Sequence, residues 1–187
     1  MKIVLASKSP RRKEILSLIC PDFDIRVSDA DESYGEDIPL NEVPRILSER
    51  KALAVTMNED EIIIGCDTVV LIDNTLLGKP RDREDAIGML KMMSGKEHYV
   101  VSGLTVRSKD KTVSEAVTSS VHMRELNTRE IEKYVDEWRP LDKAGAYGIQ
   151  EMAGSFVSRI EGDFYNIVGL PLCRLVEILN KEFNIYL

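Results

Sequence analysis

Residues 62–72 read Ile-Ile-Ile-Gly-Cys-Asp-Thr-Val-Val-Leu-Ile, and no other stretch limits the fold as tightly. Apolar, largely β-branched side chains flank one polar pair, Asp67-Thr68. Such a run specifies a strand buried on both faces, or two strand pieces broken at Gly65. A carboxylate inside it is costly to desolvate unless a metal ion, a basic residue or a bound ligand compensates it. The simpler alternative is a strand-end Asp capping a turn, helped by Gly65. The rest of the chain has to decide between them.

The chain has 187 residues, which fits one domain or two lobes sharing a core. It carries 25 basic and 32 acidic residues, a net charge of −7, which argues against broad nucleic-acid binding. A small anionic substrate needs only a local basic cluster. The three cysteines, Cys20, Cys66 and Cys173, lie far apart and form neither a Cys-x-x-Cys pair nor a disulfide framework. That usage points to a reducing compartment. The apolar run at the N-terminus is too short for a signal peptide, and no run reaches membrane-spanning length. The expectation is a cytoplasmic protein that binds neither membrane nor nucleic acid.

The basic cluster stands near the start. Ile3 to Ala6 reads as a short strand, followed by Ser7-Lys8-Ser9-Pro10-Arg11-Arg12-Lys13. Ser9 is a good N-cap and Pro10 a good first helical residue, with Ile15, Leu18 and Ile19 at helical spacing. Cations in a first helical turn oppose the helix dipole. A bound phosphate chain would reverse the sign, because free N–H groups, hydroxyls and guanidinium groups would all point at it; a solvated basic turn is the plainer reading. The glycines of a Walker A loop are missing.

Phe23, Ile25 and Val27 alternate as in a strand before the acidic turn Asp29-Ala30-Asp31-Glu32. An EF-hand starting at Asp29 fails, since Tyr34 and Leu40 stand where Gly and Glu are needed. Asn41 to Met57 reads as a helix with Val43, Ile46, Leu47, Ala54 and Met57 inward and Glu49 and Lys51 on its flank. After the central strand, Asp73-Asn74-Thr75 turns into a hairpin ending at Gly78-Lys79-Pro80, where Lys79 sits on a constrained backbone. Asp82 to Met93 reads as a capped helix, Tyr99–Val106 and Thr112–Met123 as antiparallel strands, and Asn127-x-x-Glu130 as a capping box. His98 and His122 are isolated from each other and from any Cys, so no zinc site can be argued. The segment Trp138 to Gln150 loses all periodicity and mixes small with polar residues, the composition of a loop a ligand can approach closely. Phe156–Arg159 and Phe164–Val168 read as a hairpin. Gly169-Leu170-Pro171 then opens a last helix with Leu172, Leu175, Val176 and Leu179 inward.

Taken together, Ser7-Lys8-Ser9-Pro10-Arg11-Arg12, Glu32, Lys51-Ala52, Gly65 to Val70, Gly78-Lys79-Pro80, Asp142 to Gln150 and Val168-Gly169-Leu170-Pro171 resemble the Maf family of nucleoside triphosphate pyrophosphatases, in family order along nearly the whole chain. The segment Asp142 to Gln150 is similar to that of the subfamily acting on dTTP and UTP. The resemblance implies a single α/β domain spanning residues 1–187, with a long mixed sheet and two lobes around a cleft, as in inosine triphosphate pyrophosphatases. It implies a house-cleaning hydrolase that cuts between the α- and β-phosphates with a divalent cation, Mg²⁺ or Mn²⁺, and forms homodimers. Asp67, Lys51 and Lys79 would be catalytic. Ser7, Ser9, Arg11, Arg12, Thr68 and Gln150 would bind substrate, and Glu32 with Asp67 would hold the metal, with Glu49 a weaker third candidate. Cys66, where many members have Ala, and Glu151, commonly Gly, are departures. A non-catalytic nucleotide-binding regulator of cell division, and a purine or 7-methyl-GTP pyrophosphatase on the same fold, are the alternatives. A pure binder has no need for Asp67.

Overall fold

The computed structural model describes residues 1–27 and 29–187. The apolar run forms one unbroken strand, β3 (Glu61–Ile72), buried throughout except at Asp67, Thr68 and Leu71, which are half-buried. Ile62, Ile64 and Cys66 pack into one cluster while Ile63 packs into another, as the alternation of a doubly covered strand requires. Gly65 is therefore not a break.

Two short strands share one edge of β3. β1 (Lys2–Leu5) runs parallel to its first half, Lys2 opposite Glu61 and Leu5 opposite Ile64. β4 (Thr75–Leu77) returns antiparallel along its last residues, with Leu77 opposite Val70. The two-residue turn between β3 and β4 is Asp73-Asn74, both at positive φ. Between Ile64 and Val70 this edge has no strand partner among the described residues, and Asp67 and Thr68 fall in the gap. The other edge is paired from Ile63 to Leu71 with β5 (Glu97–Arg107), followed outward by β6 (Thr112–Met123) and β7 (Val157–Glu161). A two-residue strand, β2 (Asp24–Ile25), extends the sheet beyond β1, so the order is β2-β1-β3-β5-β6-β7 with β4 beside β3.

Helices cover both faces. α1 (Pro10–Ser17) and α6 (Leu172–Phe183) pack on the first half of β3 around Leu5, Leu16, Ile64 and Leu175. α3 (Arg83–Met93) and α4 (Thr128–Trp138) enclose a second core with Val70, Leu90, Tyr134 and Phe156 beyond the gap. The Asn127–Glu130 capping box is present at the start of α4, and Asp82 caps α3. α2 (Val43–Leu53) crosses β3 and β5 over two glycines. A Cβ on Gly65 would overlap the Ser48 carbonyl oxygen, and one on Gly103 would overlap that of Pro44. Close approach of a helix is what those glycines permit.

Four expectations are corrected. The helix read from Asn41 to Met57 spans only Val43–Leu53, because Val55 turns into a small cluster with Val4 and Ala52. Residues 164–168 form a helix, α5 (Phe164–Val168), not a strand. The Asp163 carboxylate accepts from Tyr165 N, Asn166 buries its amide against Val100 O and Ser119 Oγ, and Gly169 at φ 132° ends the turn. Leu18 lies beyond the end of α1 and is exposed, with Leu16 taking its place in the core. The alternation from Phe23 to Val27 yields only the two residues of β2, since Ile25 and Val27 face solvent. No helix among the described residues is long and apolar enough to cross a membrane.

Candidate active site

The gap in the β3 edge is filled by side chains. α2 carries Lys51 over it, and the Lys51 ammonium lies 2.6 Å from Asp67 Oδ1 and 2.8 Å from Glu32 Oε1. The compensation that the buried carboxylate requires is thus a lysine held by helix packing. Burial alone would lower the Lys51 pKa, but Asp67 and Glu32 outweigh it and raise it, so the group stays an ammonium. The same hydrogen bond from Lys51 holds the Glu32 carboxyl below its usual range. Asp67 Oδ2 makes no hydrogen bond among the described residues.

The turn after β1 supplies the cations. Ser9 caps α1 by accepting from Arg12 N at 3.5 Å, with Pro10 at the first helical position. Arg12 then reaches into the gap. Its Nε donates to Gly169 O at 2.9 Å, Nη1 to Ser7 Oγ at 3.1 Å and Nη2 to Thr68 Oγ1 at 3.2 Å. It ties the turn after β1, β3 and the end of α5 together, and two of its five N–H donors stay uncommitted. Thr68 Oγ1 also pairs with Ser102 Oγ at 2.9 Å. Arg11 spans to the far side, where it binds the Asp142 carboxylate at 2.7 Å and the Asp142 carbonyl at 3.2 Å. Lys79, on the turn after β4, is exposed and lines the same space.

Two adjoining cavities, about 390 and 650 Å³, meet at Arg11, Arg12, Glu32, Lys51, Lys79 and Asp142. Their walls differ in chemistry. The first runs from Asp67 and Thr68 past Val43, Leu47 and Leu76 to Tyr147 and Gln150. The second lies over the Ser7–Arg12 turn. One end therefore suits a partly apolar group with polar edges, and the other suits an anion. Of the residues given a role from the sequence, all but Glu49 border one cavity or both. Glu49, weighed as a weaker metal ligand, faces Arg45 at 3.6 Å.

Among the described residues no group of three or more His, Cys, Asp or Glu side chains could hold a metal ion alone. Glu32 and Asp67 converge on one ammonium, so their oxygens stand close together. That donor set fits a hard divalent cation, provided that phosphate and water would supply its remaining ligands.

Two features of the site went unread in the sequence. Lys143 is buried, and its ammonium lies 2.8 Å from Asp142 Oδ1 and 3.4 Å from Glu151 Oε2. Burial pushes the Asp142 carboxyl up, but Lys143 and Arg11 prevail and bring it to about 2. His98 is fully buried on β5, its Nε2 2.8 Å from the Tyr147 hydroxyl. Burial lowers its pKa to about 4, so the ring is neutral near pH 7. His122, opposite Glu97 in the β5–β6 pair, sits 3.3 Å from the Glu97 carboxylate instead. Only the strand position of His98 was available to signal that its ring points inward.

A mixed sheet opened along one edge of its central strand, with cations and carboxylates lining the opening, defines an α/β protein shaped to hold a phosphorylated small molecule. The chain belongs to the Maf family: the family model described as Maf-like protein matches residues 2–182. A relative from Alkaliphilus metalliredigens (strain QYMF) named dTTP/UTP pyrophosphatase is 45% identical over 190 residues, covering 100% of this chain and 98% of its own. Another of that name from Thermoanaerobacter sp. (strain X514) is 46% identical over 191 residues and all of both chains. A third, from Bacillus cereus (strain AH187), is 45% identical over 98% of this chain and 96% of its own. The solved Ham1 protein of Staphylococcus aureus aligns with 66% of this chain and 72% of its own at 16% identity and a TM-score of 0.45.

Proposed function

We propose that this chain is a nucleoside triphosphate pyrophosphatase that hydrolyses dTTP and UTP to the monophosphate and pyrophosphate. The observation that carries the reading is the Lys51 bridge between Asp67 and Glu32 in a cleft shared with Arg11, Arg12 and Lys79. The names of the full-length relatives support the same substrates. The chain works as one domain with two lobes on either side of the β3 gap, as a homodimer in the cytoplasm.

The triphosphate lies over the basic turn, with the Ser7 and Ser9 hydroxyls, Arg11 and the uncommitted Arg12 donors meeting its oxygens. Water attacks the α-phosphorus. An O–P bond forms there, the bond to the bridging oxygen breaks, and pyrophosphate leaves. Asp67 Oδ2 accepts the proton of that water while Oδ1 stays bound to Lys51. Lys51 and Lys79 offset the charge that develops on the phosphate oxygens. Glu32 and Asp67 would hold Mg²⁺ or Mn²⁺, which when bound supplies Lewis-acid polarisation of phosphate oxygens. Gln150 reads the base: its amide carbonyl accepts from N3–H and its NH₂ donates to O4 of thymine or uracil. Thr68, fixed by Arg12 and Ser102, limits where the sugar end can sit.

The test is pyrophosphate release from a panel of dTTP, UTP, CTP and GTP. The expected result is efficient release from dTTP and UTP and poor release from the other two. A preference for a purine, or binding without turnover of any triphosphate, contradicts the reading.

A further inference from the structure

We infer that Lys143 is a specificity-determining positioning residue, whose buried ammonium closes the 142–151 loop on itself and so fixes the backbone that presents Gln150. This rests on the reading of Gln150 as the base reader. Gln150 is exposed at the cavity wall, and its amide makes no hydrogen bond to another residue among those described. Cytosine presents the reverse order of donor and acceptor, and a flipped amide would answer it equally well. Discrimination therefore requires surroundings that hold the amide in one orientation, and the backbone of the loop has to bring the amide to them.

The loop is built to do that. Lys143 is only 8% exposed, which is unusual for a lysine without a partner. Its ammonium joins Asp142 at one end of the loop to Glu151 at the other, immediately after Gln150. Its methylene stem fills the space beneath Gly148: a Cβ there would meet Lys143 Cε at 2.9 Å and Glu151 Oε2 at 3.2 Å. Inside the loop, Glu151 N donates to Gly148 O at 3.1 Å and Ala146 N to Lys143 O at 3.1 Å. Asp142 is in turn held by Arg11, so the base end of the cleft is registered against the turn that receives the phosphates. Losing the ammonium leaves the two carboxylates facing each other without a cation between them, and the loop relaxes. A shifted amide then loses its advantage for N3–H and O4 over the cytosine pattern.

The experiment measures kcat/KM for dTTP, UTP and CTP, with melting temperatures, in the wild type, Lys143→Met, Lys143→Arg, Glu151→Gln and the Lys143→Met/Glu151→Gln double variant. Lys143→Met keeps the stem and removes the charge. Its preference for dTTP over CTP is expected to fall roughly tenfold, mainly through KM for dTTP. Lys143→Arg is expected to restore most of the preference. Glu151→Gln should lose part of it, and the double variant should be no worse than Lys143→Met, because both remove one contact. The rise in melting temperature given by inorganic pyrophosphate, which has no base, should be unchanged in all of them. A folded Lys143→Met enzyme with the wild-type ratio overturns the inference, as does an equal loss for every base. Should Lys143→Met not fold, an unchanged ratio in Glu151→Gln overturns it. A wild type with no base preference overturns the substrate reading itself, whereas a retained ratio in the variants overturns only the role of Lys143.

Discussion

Lys51 takes one oxygen of Asp67 and leaves the other for chemistry. This division lets a carboxylate sit in an apolar strand beside a cation while leaving one oxygen for the proton acceptance proposed above. Asp67→Asn keeps the shape and removes the base. Pyrophosphate release from dTTP should fall by roughly 10² or more, with the fold retained; near-normal turnover would mean that Asp67 serves only to pair with Lys51. His98 makes a separate prediction about stability. Its pKa is about 4 when folded against an ordinary 6.5, so between those values the unfolded chain binds more protons than the native one. Its contribution is complete above pH 6.5 and is lost as pH falls toward 4, by about 3 kcal/mol over that window. Urea titrations of the wild type and His98→Gln at a series of pH values check this: the wild type should show the extra decline, and parallel curves would mean that the ring is protonated in the fold.

The decisive element is α2, because its distance from the sheet sets where Lys51 ends. Gly65 and Gly103 admit it, and Gly103 is the tighter of the two. Gly103→Ala should destabilise by about 1–3 kcal/mol through overpacking and also lower turnover, since α2 must shift with Lys51 on it. Gly88→Ala, in the open middle of α3, is the control and should be neutral or slightly stabilising. Urea midpoints and initial rates measured together separate the two effects. Elements with local signals were legible in the chain: Ser9-Pro10 at α1, the Asn127–Glu130 box at α4 and the antiparallel pair β5 and β6 all fall where the residues place them. The 164–168 segment was not legible, because Phe-Tyr-Asn-Ile-Val has strand composition and only the buried amide of Asn166 and the cap from Asp163 turn it into helix. Gly65 was ambiguous for a similar reason. A break and a close approach of another element look alike until the other element is placed.

At the scale of the molecule, one sheet carries two cores, and the unpaired stretch of β3 lies between them. The residues named for the site come from positions 7 to 150, yet they border two joined cavities, because β1, β4, α2 and the 142–151 loop all end at that gap. Their convergence was legible only as a set of motifs in order. The links between them, Arg11 to Asp142 and Lys143 to Glu151, had no sequence signal, since an ion pair leaves no periodicity. The most direct test of the whole arrangement is hydrolysis of dTTP in ¹⁸O-labelled water with Mg²⁺, followed by mass analysis of both products. The account predicts dTMP carrying the label and unlabelled pyrophosphate. Label in pyrophosphate, or release of dTDP and inorganic phosphate, would contradict attack at the α-phosphorus beside Asp67.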